Sequence, residues 1–204
     1  RRSVMAASCR AVIAVAPPAS VASPRSPELL KQDLSRLLAM PFANDMVGAN
    51  DAPVIAWVEN RGGARNVLVS QNGKSPKLLT HHTRDDGILL WDLALSRNGR
   101  IAAYVENGDP EYPDGAPPNA GLQNNLPKQN VHVVLPSGQD VIAGQGHSPA
   151  FSPDGKMLAF SEGGTLFQSR VAVKAAAVLK TVGSIEALKW SADGTRLLFS
   201  LRRG

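Results

Sequence analysis

One short pattern recurs along this chain and limits what it can fold into: a Ser-x-[Asp/Asn]-Gly turn followed by an apolar run. It occurs at Ser96-Arg97-Asn98-Gly99, Ser152-Pro153-Asp154-Gly155 and Ser191-Ala192-Asp193-Gly194. The turn glycines are 56 and 39 residues apart. A segment from Gly48 lacks the turn glycine, but its Trp57-Val58-Glu59-Asn60 aligns on Tyr104-Val105-Glu106-Asn107, 47 residues later. The turn has a chemical basis. Pro153 pre-sets φ at the second turn position, Asp154 can bond the local backbone, and Gly155 can take positive φ and pass the chain into a return strand. Asn98-Gly99 and Asp193-Gly194 repeat that chemistry. A period of about 40–50 residues, each opening on strand, tight turn and strand, predicts the blades of a β-propeller.

The return strands, at 101–105, 157–160 and 197–201, are nearly continuous apolar runs. A strand covered on both faces reads that way, and neighbouring blades would supply the two covers. Further strands of the third repeat are expected over 165–173 and 177–181. The reading is therefore all-β: an incomplete propeller of about four four-stranded blades, the last partial, over residues 42–204. Its repeats lie near 47–90, 91–145, 146–185 and 186–204. Trp190 and Phe151, at equivalent repeat positions, are expected between blades. The stretch 107–129, rich in Pro, Gly and Asn, reads as a long inserted loop. Asp109, Glu111 and Asp114 within it read as solvated loop charges rather than metal or amine ligands.

Residues 26–41 predict one amphipathic helix. Ser26 caps it, Pro27 and Glu28 suit its first turn, Leu29, Leu30, Leu34, Leu37 and Leu38 share a face, and Pro41 ends it. A single helix of this length needs a partner for its leucines, and docking on the rest of the fold is expected. Residues 1–25 read as a leader or disordered N-terminus. A basic start, a short apolar segment and Ala19-Ser20-Val21-Ala22 resemble an export signal, with Arg10 interrupting the apolar part. A periplasmic or secreted location is the expectation, a cytoplasmic one the alternative. The chain starts on Arg and stops inside the fourth repeat, so it is expected to be a piece of a longer protein.

The 204 residues carry a formal charge of +5. Residues 1–40 hold six basic and two acidic side chains, and the remainder 16 and 15, so the repeats are nearly neutral. No basic stripe with interleaved aromatics points to nucleic acid. Cys9 is the single cysteine, which excludes an intrachain disulfide. No run of about 18 apolar residues suggests a membrane-spanning helix.

A search for chemistry finds no complete constellation. The nearest approach to a Gly-x-Ser-x-Gly nucleophile elbow is Gly146-His147-Ser148-Pro149-Ala150, which lacks the last glycine and precedes a strand; Gly146-His147 reads as the loop entering a blade. His81 and His82, followed by Asp85 and Asp86, read as a polar connection between blades, because neighbours in a strand face opposite ways and cannot share a metal. No catalytic, metal or cofactor residues are therefore assigned. The structural positions singled out are the turns Asn98, Gly99, Asp154, Gly155, Asp193 and Gly194.

Thr83-Arg84-Asp85-Asp86-Gly87, with Ile88, Leu93, Ser96 and Asn98-Gly99 after it, resembles the inter-blade segment of prolyl oligopeptidase family serine peptidases, in their bacterial dipeptidyl-aminopeptidase and acylaminoacyl-peptidase-like branch. The helix, Pro41-Phe42, residues 54–60 and Ala64-Arg65-Asn66-Val67 are similar to how those chains enter their first blade. The resemblance covers about residues 27–204. It implies a propeller that gates peptide access to a C-terminal α/β-hydrolase domain, with the catalytic Ser, Asp and His all in that later domain. The Ser-x-Asp-Gly repeats are shared with TolB-like periplasmic propellers, which implies the alternative of a non-catalytic binding or scaffold propeller.

Overall fold

In the computed structural model, residues 26–114 and 128–203 are described. Helix α1 spans Pro27–Leu38. Ser26 caps it, its Oγ accepting the Leu29 amide at 3.3 Å. Its leucines Leu29, Leu30, Leu34, Leu37 and Leu38 are all exposed.

The strands form three four-stranded antiparallel sheets and one pair. The first holds β1 (Phe42–Gly48), β2 (Val54–Arg61), β3 (Ala64–Gln71) and β4 (Lys77–Leu78). The second holds β5 (Leu90–Leu95), β6 (Ala102–Glu106), β7 (Asn130–Val134) and β8 (Asp140–Gln145). The third holds β9 (His147–Phe151), β10 (Met157–Glu162), β11 (Thr165–Arg170) and β12 (Ala176–Lys180). The pair is β13 (Ser184–Trp190) and β14 (Leu197–Arg202). Each sheet pairs its strands in chain order, and the first strands of successive sheets contact one another. This is an incomplete β-propeller with β1, β5, β9 and β13 innermost.

Strand β1 begins earlier than the sequence repeat suggests. Phe42-Ala43-Asn44-Asp45 shows neither apolar alternation nor a turn glycine, and an irregular register between Asn44 and Val47 hides its pairing with β2.

The core lies between sheets, which explains the continuous apolar strands. In β6, Tyr104 packs with Ala56, Val58 and Val67 of the first sheet, while Ala103 and Val105 pack with Leu158 and Phe160 of the third. In β10, Leu158 and Phe160 face back and Ala159 faces forward onto Ile185 and Leu188. Alternate residues thus serve alternate neighbours, and the runs 102–105 and 157–160 are apolar throughout. Strand β14 has one such neighbour among the described residues; its burial alternates, and Leu198 is 69% exposed. Trp190 and Phe151 are half-buried rather than enclosed, with the Trp190 indole donating to the Ala150 carbonyl at 3.0 Å.

The three Ser-x-[Asp/Asn]-Gly turns share one hydrogen-bond network. The serine hydroxyl accepts from the amide that opens the return strand: Ile101 on Ser96 at 3.0 Å, Met157 on Ser152 at 2.9 Å, Arg196 on Ser191 at 2.9 Å. It donates to the Asn98, Asp154 or Asp193 side chain. Gly99, Gly155 and Gly194 sit at φ +67, +69 and +70°. These glycines also lie toward the preceding blade: a Cβ at Gly99 would stand 2.6 Å from Val54 Cβ, one at Gly155 3.7 Å from Ser96 Cβ, and one at Gly194 3.4 Å from Pro153 Cδ.

Candidate functional site

At the opposite end of each inner hairpin, the innermost strand carries a bulge. Pairing slips at Asn44/Val47, Trp91/Ala94 and Glu186/Lys189, and opposite Ala159/Ser161 in the third sheet. One residue at each slip has a left-handed backbone: Asp45 (φ 49°), Asp92 (φ 54°), Ser148 (φ 57°) and Ala187 (φ 54°). Positions 45, 92, 148 and 187 are separated by 47, 56 and 39 residues, the same intervals as the sequence repeat. Bulges re-aim side chains, and a non-glycine residue at positive φ is uncommon, so a device repeated four times in register is a built feature.

The bulges link blade to blade. Asp45 Oδ2 accepts the Leu93 amide at 2.8 Å, and Asp92 Oδ2 accepts the Ser148 amide at 2.5 Å. Desolvation beside the neighbouring blade pushes both carboxyls above the ordinary carboxylate value, the backbone hydrogen bonds offsetting only part of it.

In the third blade the pattern changes. Ser148 Oγ lies 3.0 Å from His147 Nδ1, and His147 Nε2 lies 2.7 Å from Asp114 Oδ1. Gly146 permits this: a Cβ there would run into the Ser161 carbonyl oxygen. Asp114 Oδ1 also accepts the Gly163 amide at 2.7 Å. Burial works to raise the Asp114 carboxyl, but the His147 bond and charge, the Gly163 amide and Ser184 outweigh it and hold it low. Two sequence readings are corrected here. Asp114 is not a solvated loop charge, since its side chain is 5% exposed. His147 does not sit in an entry loop; it is a 2% exposed residue of β9. Asp109 and Glu111 stay local, Asp109 Oδ1 accepting the Glu111 amide. His82 lies in the polar connection between sheets, its main chain held on both sides by the Asn66 amide group.

Ser148, His147 and Asp114 run in the order nucleophile, base, acid. The surroundings oppose acyl transfer. The Ser148 amide is already given to Asp92, Pro149 has no amide to offer an oxyanion, and the Asp92 carboxyl stands against any negative charge on Ser148. The geometry is that of a clamp holding Asp114, and with it the described start of the inserted loop, to β9.

The bulge residues Asp45, Asp92 and Ser148 line a concavity of about 450 Å³. The residues just before each bulge, Asn44, Trp91, His147 and Glu186, complete its walls, and Pro110 and Pro113 of the inserted segment overhang it. Trp91 is fixed by donating its indole N–H to the Asn107 carbonyl at 2.8 Å, and its ring stands nearly parallel to His147 with centroids 6.3 Å apart. All four innermost strands therefore contribute to one open mouth. Among the described residues, no group of three or more His, Cys, Asp or Glu is placed to hold a metal ion, and no helix is long and apolar enough to cross a membrane. The predicted turn residues Asn98, Gly99, Asp154, Gly155, Asp193 and Gly194 lie at the other end of the hairpins and line none of this mouth.

No protein-family model matches the chain, and no curated protein sequence matches it. Solved structures do. The chain is similar to a prolyl endopeptidase, at 16% identity and a TM-score of 0.57, over 87% of this chain and 28% of that one. It is also similar to a TolB-type structure from Agrobacterium tumefaciens, at 16% identity and a TM-score of 0.55, over 79% of this chain and 55% of that one. The chain thus spans under a third of the first relative and about half of the second, and the likeness at this identity is one of fold: an incomplete β-propeller of the kind found in both proteins.

Proposed function

We propose that this chain is the gating propeller segment of an exported serine peptidase of the prolyl oligopeptidase type, controlling peptide access to a C-terminal α/β-hydrolase domain. The observation that carries the reading is the mouth built in register by four innermost strands and narrowed by Pro110 and Pro113. A rigid wall of this kind excludes bulky chains and orients small ones. The likeness to a prolyl endopeptidase over 87% of the chain supports it. The likeness to the TolB-type structure favours a second reading, a non-catalytic binding propeller.

The experiment compares cleavage of a short chromogenic peptide with that of a folded protein by the full-length gene product, with its nucleophile replaced as control. Serine-dependent cleavage of the peptide alone is expected. Equal rates on both substrates would remove the gating reading, and no serine-dependent activity would favour the binding propeller.

A further inference from the structure

A second concavity lies on the other side of the blades, between the first and second sheets, beside the Asn98-Gly99 turn. It measures about 460 Å³, within the range of about 300–1,000 Å³ of small-molecule pockets. Its lining divides by chemistry. The inner wall is aliphatic: Val54, Ala102 and Val134 are buried, and Val69, Leu79 and Leu95 lie partly buried beside them. The outer rim holds Lys74, Lys77 and Arg100, all exposed. No acidic residue lines the cleft. None of the three cations is in an ion pair among the described residues. Nearby cations of the same face behave otherwise: Arg97 is paired with Asp51 at 2.9 Å and Lys156 with Asp154 at 3.7 Å.

Three unpaired cations of one sign around an aliphatic wall define the complement. We propose that this cleft binds a small amphipathic carboxylate, its alkyl chain against Val69, Leu79 and Leu95 and its anionic head among Lys74, Lys77 and Arg100. An apolar wall supplies the transfer free energy of the chain, and the rim supplies charge-assisted hydrogen bonds for the head. Neither part alone selects the ligand: a free anion has nothing to place on the wall, and a neutral alkyl chain leaves the rim unanswered. The site is separate from the axial mouth and does not depend on the peptidase reading.

The test uses the 204-residue chain and follows amide chemical shifts during titration with octanoate, octanol and inorganic phosphate. Saturable octanoate binding that shifts resonances of the cleft is expected, with octanol and phosphate each at least about tenfold weaker, or about 1.4 kcal/mol. The Lys74→Glu/Lys77→Glu/Arg100→Glu variant should lose about tenfold for octanoate. Because these side chains are exposed, the variant should keep the wild-type far-UV spectrum. Ser75→Trp, which fills the opening without changing charge, should also weaken octanoate. Octanol binding as well as octanoate, or the charge-reversed variant binding octanoate like wild type, would overturn the proposal in favour of plain apolar exposure. Phosphate binding as well as octanoate would overturn it in favour of a simple anion patch.

Discussion

At the turn end of the third and fourth inner hairpins, carboxylates sit in water and are held low. Asp154 and Asp193 each accept a serine hydroxyl and a backbone amide, and Asp193 is pulled down to about 2. At the axial end, Asp45 and Asp92 bond across to the next blade, and desolvation there pushes them up. The two ends also differ in what repeats. The turn repeats in residue type, Ser-x-[Asp/Asn]-Gly. The bulge repeats in backbone, with φ between 49 and 57° at four positions, while its residues run Asp, Asp, Ser, Ala. A constant frame carrying variable side chains into one mouth is how a repeat protein separates folding from binding.

The largest expected effect breaks the axial end at its clamp. Asp114→Ala leaves the His147 Nε2–H and the Gly163 amide without an acceptor, at about 1–3 kcal/mol for each buried donor left unpaired. Asp109→Ala, a few residues earlier in the same segment, should stay within about 0.5 kcal/mol. Denaturant midpoints of the two variants decide this, and equal values would mean that the clamp is not formed. Asp114→Asn adds the sign of the charge. Because Asp114 is held below the ordinary carboxylate value, the wild-type advantage over Asn should be complete above about pH 4 and shrink as pH falls through the folded value.

The next effect breaks the turn end. Gly99→Ala places a methyl group at positive φ, about 1–2 kcal/mol, and drives it into Val54, about 1–3 kcal/mol more. Gly138→Ala has a similar φ of +84° with open space around it, so it should show the backbone cost alone. The difference between the two, read from chemical unfolding, measures the docking of one blade's turn on the preceding blade. A third comparison is smaller. Ser152→Ala removes a buried hydroxyl that serves both the Met157 amide and Asp154, at about 1–3 kcal/mol. Ser148→Ala, at the bulge, removes a half-buried hydroxyl that meets both His147 and the Asp92 carboxylate and should cost less, about 0.5–1.5 kcal/mol. If Ser148→Ala proves the costlier of the two, the division between folding turn and variable mouth is wrong.

The turn end was readable from sequence because its chemistry is local. Ser, Asp and Gly act within six residues of one another, and their repetition at fixed intervals exposes the blades. The apolar return strands were readable for the same reason: covering both faces of β6 and β10 demands a continuous apolar run over 102–105 and 157–160. The axial end was not readable. Asp45 and Asp92 bond residues 48 and 56 positions away, and nothing in Asn44-Asp45-Met46 announces a bulge. Asp114 looked like any loop carboxylate because its partners, His147 and Gly163, are 33 and 49 residues distant. One signal could have found the bulges: projecting the repeat intervals from the turns back onto the inner strands lands on 45, 92, 148 and 187 together.

The smallest effect sharpens the contrast in charge. Asp92→Asn keeps an oxygen for the Ser148 amide but removes a carboxylate that faces Asp45 as well as His147. Since the folded protein raises Asp92 above the ordinary carboxylate value, the protonated form is the better tolerated one. Its contribution is therefore complete below about pH 4 and is lost as pH rises through the folded value. The stability difference between Asp92→Asn and wild type should accordingly move in favour of the variant between about pH 4 and pH 7. Asp154→Asn, at the exposed turn, should move the opposite way over a lower range, because there the folded protein favours the charged form. Unfolding curves of both variants across this range give the two signs directly. Shifts of the same sign would show that the two ends of the hairpin hold their carboxylates in the same way.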